Sequence, residues 1–88
     1  MPGFVLLVRP RGDADSGMRV GFTVTKKIGN AVVRNRCKRR LRALAREVLP
    51  QAGVPGADHV LIGRDATPTR DFAAMRAELG QALARLVP

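Results

Sequence analysis

Lys26, Lys27, Arg34, Arg36, Lys38, Arg39, Arg40, Arg42 and Arg46 all fall within residues 20–49, where Glu47 is the one acid. These nine cations are more than half of the chain's 16 Lys and Arg. Their chemistry is attraction to phosphate. Clustered cations neutralise a nucleic-acid backbone and release its condensed counterions. Arg forks match phosphate oxygens two at a time, and an amide such as Asn35 both donates and accepts. A solvated helix face is the ordinary reason for a charge run, but such faces alternate in sign, and this one does not.

Other chemistries are absent from the pattern. There is no Ser/His/Asp set and no pair of acids spaced for a metal; the seven acids are scattered. Lys26-Lys27-Ile28-Gly29-Asn30 lacks the Gly-Lys-Ser/Thr ending of a phosphate-binding loop. His59 is the only histidine and has no Cys beside it, which argues against a metal site. Cys37 is the only cysteine, so no intrachain disulfide forms; its place on an apolar helix face makes it an inert core residue. The net charge of +9 on 88 residues points to nucleic acid first and an anionic membrane second. The membrane reading is the weaker one: the basic stretch has no Trp, and its apolar face is needed by a sheet.

Three kinds of element must hold these charges. From Val20 the residues alternate: Val20, Phe22 and Val24 against Gly21, Thr23 and Thr25. That is a half-buried strand, Met18–Thr25. Gly29-Asn30 marks a turn. From about Val33 the period changes, with Val33, Cys37, Leu41, Leu44 and Val48 on one helix face. The opposite face then carries Asn35, Lys38, Arg39, Arg42 and Arg46, and the helix is expected to stop at Pro50.

The remainder supplies the support. Phe4–Arg9 is apolar on both faces and is expected inside a sheet. Residues 10–17 read as a loop joining it to Met18–Thr25, the two strands forming an antiparallel hairpin. Residues 51–57 are loop, and Val60-Leu61-Ile62 is a short buried strand. Ala66-Thr67-Pro68 is expected to open a last helix, Thr67 capping it and Asp71 favouring its positive end. Its apolar stripe is Phe72, Met75, Leu79, Leu83 and Leu86. Arg64 and Arg70 either extend the basic surface or are simply solvated. The order is strand, strand, helix, strand, helix: one α+β domain, residues 1–88, built as a two-layer sandwich.

The run Gly21–Arg36, GFTVTKKIGNAVVRNR, followed by Lys38-Arg39, resembles the signature of the bacterial ribonuclease P protein subunit. The Arg-Asn-Arg triplet after Lys-Lys-Ile-Gly-Asn-Ala-Val is a long and specific match. A looser resemblance extends from Phe4 to the C-terminus.

The resemblance implies a left-handed strand–helix–strand crossover, against the general rule. It also implies that the family's N-terminal helix and first strand have no counterpart here, since the chain opens at what resembles the second strand. A shortened start is therefore expected. Arg34, Asn35, Arg36, Arg39 and Arg46 are the implied contacts to the RNA subunit. Leu7, Thr23, Thr25, Lys26, Lys27, Lys38 and Arg42 are the implied contacts to the 5′ leader and body of precursor tRNA. Leu7 stands where some members carry an aromatic residue that reads a leader base, so stacking-based base preference is not expected to follow. Catalysis would belong to the RNA subunit, which holds Mg²⁺; no protein side chain is a catalytic or metal residue. The partners implied are ribonuclease P RNA and precursor tRNA, with no membrane and no small-molecule cofactor, in the cytoplasm. Apart from the resemblance, a non-catalytic module for structured RNA, such as a ribosome-associated protein, accounts for the same charges.

Overall fold

The computed structural model describes residues 3–12 and 17–86. Its elements are β1 (Phe4–Pro10), β2 (Arg19–Thr23), a 3₁₀ turn (Lys26–Ile28), α1 (Ala31–Ala52), β3 (Ala57–Gly63) and α2 (Phe72–Ala84). The α+β class and the element order agree with the sequence. Residues 13–16, in the middle of the expected 10–17 loop, lie outside the described part.

The sheet order is β1-β3-β2. β3 pairs antiparallel with β1 and parallel with β2. The expected β1–β2 hairpin is therefore absent, and β1 is an edge strand of this sheet, not an interior one. The physical reason is burial. Ala57, His59 and Leu61 of β3 are fully buried, more than any comparable set in β1 or β2. The strand with most to hide takes the centre. The chain leaving β1 is drawn over the start of β3 instead: Arg11 N–H donates to the Gly56 carbonyl at 3.1 Å. The Arg11 side chain pairs with Asp58 at 3.2 Å. On β1, Leu7 is 54% exposed, so the strand alternates after all.

Both helices lie on one face of the sheet. Phe4, Leu41, Leu44, Leu61, Met75, Leu79 and Leu83 form the fully buried centre, with Leu6, Val8, Phe22 and Val24 packed against it. At about 25 cal/mol per Å² of apolar area removed from water, each of these large side chains stabilises the fold by about 1.5–3 kcal/mol. Leu86, expected in the apolar stripe, follows α2 and is exposed.

α1 runs through Pro50 into its final turn. A proline there forgoes one bond, to the carbonyl of the exposed Arg46, and Gly53 N–H still closes on the Leu49 carbonyl at 2.8 Å. α2 starts later than expected. Asp71 is its N-cap, accepting from Ala74 N–H at 3.0 Å. Thr67 serves elsewhere: its buried hydroxyl accepts from Arg64 N–H at 2.7 Å and donates to the Gly3 carbonyl at 2.5 Å. That pair of bonds ties the β3–α2 connection to the start of β1.

Candidate nucleic-acid interface

The start of α1 is set by two residues. Gly29 has φ +155°, and a Cβ there would lie 3.0 Å from Val33 Cβ, so glycine alone suits the position. Asn30 then caps the helix, its Oδ1 accepting from Val33 N–H at 3.0 Å. The first turn contains no acid. Arg34 and Arg36 follow close to the positive end of the macrodipole, an arrangement that costs stability unless an anion joins them.

The cations of α1 divide by direction. Asn35, Lys38, Arg39 and Arg42 line one shallow depression of about 470 Å³ together with Val32, which is 73% exposed. Arg42 and Arg46, one turn apart, also form the rim of a second groove of about 360 Å³. Its floor is apolar: Met18, Val20 and Phe22 from the β2 side, Ala45, Leu49 and Pro50 from α1. Arg42 thus belongs to both surfaces. The second groove was not foreshadowed by the sequence pattern, although the exposure of Met18 and Val20 follows from a strand edge beside a helix.

No cation of α1 is in an ion pair among the described residues; the pairs found there are Arg11–Asp58, Arg70–Glu78 and Arg76–Glu47. Glu47, the one acid of the basic stretch, is occupied by Arg76 of α2 at 2.8 Å. Arg70 is likewise committed to Glu78 at 2.8 Å, so it is not a spare charge for a ligand. Arg34 is half-buried, and its Nε is shielded from solvent without a hydrogen-bond partner. Arg36 is exposed, one turn before Arg40 on the flank nearer α2.

Arg40 is the exception within the helix. It points into the protein: Nε donates to the Thr67 carbonyl at 2.9 Å, and a second nitrogen donates to the Arg70 carbonyl. Its guanidinium carbon lies 5.7 Å from the Phe72 ring centroid. Sequence periodicity separates an apolar face from a polar one, but cannot tell an inward-turned arginine from its neighbours.

The remaining candidates sit elsewhere. Lys26 and Lys27 are exposed in the 3₁₀ turn that joins β2 to α1, next to exposed Thr25. Thr23 and Leu7 are exposed on the sheet face away from the helices. The twelve candidates therefore form two surfaces, the outer side of α1 and the helix-free side of the sheet, which meet at Thr25–Lys27.

Cys37 is buried, and burial raises its thiol pKa, opposed by a backbone hydrogen bond and by the charges of Arg40 and Arg36. His59 is also buried. Its Nε2 accepts from Val54 N–H at 3.0 Å, which leaves Nδ1 to donate toward the Arg19 carbonyl at 3.3 Å. It serves as a fastener between β2, β3 and the end of α1. Among the described residues no group of three or more His, Cys, Asp or Glu is placed to hold a metal ion. No described helix is long and apolar enough to cross a membrane.

Comparison with known proteins gives a consistent result. A family model described as Ribonuclease P matches residues 1–87. The ribonuclease P protein component of Erythrobacter litoralis is 58% identical over 84 residues, covering 96% of this chain and 68% of that protein. That of Gluconacetobacter diazotrophicus is 54% identical over 82 residues, covering 93% and 70%. The solved ribonuclease P protein of Thermotoga maritima superimposes with a TM-score of 0.75 at 33% identity, over 94% of this chain and 76% of its own. The Staphylococcus aureus protein gives 0.73 at 25% identity, over 99% and 77%.

Proposed function

The chain belongs to the bacterial ribonuclease P protein family, and from that premise we propose how its two basic surfaces divide their work. It is an accessory subunit of an endoribonuclease that matures the 5′ ends of tRNA, and its partner is ribonuclease P RNA. The outer side of α1, with Arg34, Asn35, Arg36, Arg39 and Arg46, binds that RNA. Lys38 and Arg42 on the adjoining flank, Thr25, Lys26 and Lys27 in the turn, and Thr23 and Leu7 on the sheet hold the leader and body of precursor tRNA. The whole of 1–88 acts as one RNA-binding domain in the cytoplasm.

The observation that carries this reading is the unpaired charge. Arg34, Arg36, Lys38, Arg39, Arg42 and Arg46 face no acid among the described residues, and the helix start adds its own positive potential. A folded protein keeps such self-repulsion when a polyanion relieves it. The arrangement does three things. It cancels repulsion between two RNAs, it positions the precursor, and it lowers the ion concentration the assembly needs.

The described side chains offer no carboxylate cluster suited to Mg²⁺, so no step is assigned to a protein-held ion. Mg²⁺ belongs to the RNA in this proposal, where it would activate water for phosphodiester hydrolysis. The test is reconstitution. Protein freed of RNA should leave precursor tRNA intact. Added to a bacterial ribonuclease P RNA at low Mg²⁺, it should restore cleavage at the tRNA 5′ end, with a benefit that shrinks as Mg²⁺ rises and screens the same charges. Correct cleavage by RNA-free protein would overturn the assignment.

A further inference from the structure

The helix-free face of the sheet has an order of its own. Phe4, Leu6 and Val8 of β1, Leu61 of β3 and Phe22 of β2 turn toward the helices. Alternation therefore sends Val5, Leu7 and Arg9, Asp58, Val60 and Ile62, and Arg19, Gly21 and Thr23 to the other side. The pairing register sets these nine in three rows across the sheet: Val5–Ile62–Thr23, Leu7–Val60–Gly21 and Arg9–Asp58–Arg19.

The third row is the unusual one. It holds two cations and one acid, and the acid is already taken, since Asp58 Oδ1 pairs with Arg11 at 3.2 Å. Arg11 is further held by the Gly17 carbonyl at 2.6 Å. Arg9 and Arg19 are both exposed, and neither guanidinium has a hydrogen bond or ion pair with a described residue. They stand two strand spacings apart, about 10 Å. From Arg19 to Thr23 is about 13 Å along β2, and Lys26 and Lys27 lie just beyond.

The floor between these charges is low and weakly polar. Leu7 is 54% exposed, Thr23 offers a hydroxyl, and nothing lies within 4 Å of where a Gly21 Cβ would be. A strip with cations at both ends and a flat floor between them suits a single strand. Its phosphates meet the charged ends while its bases lie on the floor or against a guanidinium plane.

We infer that Arg9 and Arg19 are a second phosphate-binding point for single-stranded RNA, reached by longer leaders after they cross Leu7 and Thr23. This rests on the proposal that the leader meets this face. It adds to that proposal two residues and a dependence on leader length.

The test uses the protein assembled with ribonuclease P RNA, and precursor tRNAs with short, intermediate and long leaders beside mature tRNA. R9Q/R19Q should bind mature tRNA and the RNA subunit like the parent. Its affinity deficit should grow with leader length. For the longest leader its salt slope should be smaller by about 1.4, or about 0.7 for each single-strand phosphate that is no longer neutralised. A fourfold rise in salt would then cost the variant about sevenfold less affinity than the parent. R9K/R19K keeps the charges and should keep the slope. A deficit that does not grow with leader length, or a lysine pair whose slope falls as the glutamine pair's does, overturns the inference. If the parent itself shows no preference for leaders, the leader assignment under the proposed function fails and takes this inference with it. A preference unchanged in the variant sinks this inference alone.

Discussion

Arg40 of the basic helix donates from Nε to the main-chain carbonyl of Thr67 at 2.9 Å. Thr67 in turn donates its hydroxyl to the Gly3 carbonyl. A single chain of hydrogen bonds thus runs from the basic helix α1, through the β3–α2 connection, to the start of β1. The arginine fastens α1 to the β3–α2 connection, while the buried face of Leu41, Leu44 and Val48 sets the rotation of the helix and so the direction of Lys38, Arg39 and Arg42.

Arg40→Met should therefore act on stability and not on the RNA footprint. It leaves the carbonyls of buried Thr67 and half-buried Arg70 without their donor and should cost about 2–3 kcal/mol. For a domain of this size each kcal/mol lowers Tm by about 4–8 °C. Below the new Tm the salt slope of RNA binding should equal the parent's. A slope reduced by about one would show that Arg40 touches phosphate after all.

Arg39, Arg42 and Arg46 should behave in the opposite way. All three are exposed and unpaired among the described residues. Replacing any one by Ala should change Tm little and reduce the salt slope by about 0.9 if it meets a duplex phosphate. Fluorescence anisotropy across a salt series measures this directly. An unchanged slope in the triple variant would exclude this side of α1 from the interface.

The Asn30 cap supports both surfaces, because the turn carrying Lys26 and Lys27 joins the helix there. Asn30→Ala removes the bond to Val33 N–H and should lower stability by about 1 kcal/mol. Gly29→Ala adds backbone strain at φ +155° and a 3.0 Å approach to Val33, so it should cost more. Urea midpoints at constant slope rank the two. A neutral Gly29→Ala would mean that the turn relaxes to another conformation.

Cys37 gives the fold an alkaline limit. Burial raises its pKa, so the folded chain keeps the thiol proton at a pH where the unfolded chain has lost it. Its contribution is complete below the ordinary thiol range and falls as pH rises through that range toward the folded value. Stability measured from neutral to alkaline pH should decline more steeply in the parent than in Cys37→Ala, whatever the difference between them at neutral pH. Parallel curves would show that the thiol does not contribute.

Local order was legible in the sequence. The apolar spacing Cys37, Leu41, Leu44 and Val48 made α1 visible, Gly29-Asn30 marked its start, and the run Gly21–Arg36 carried the family. These features depend on neighbours within a turn or two of the chain. What reached across the chain did not show. Thr67, a good cap by its neighbours, was claimed by Gly3, and Asp71 capped α2 instead. Arg40 looked like the other cations of its helix until Thr67, Arg70 and Phe72 came to meet it. Alternation alone put Arg9 and Arg19 at the same parity as Leu7 and Thr23, but not in one row. The strands' partners are chosen by competition for the buried centre of the sheet. That contest is settled by β3, which comes after α1 in the chain, so no stretch around β1 or β2 records its outcome.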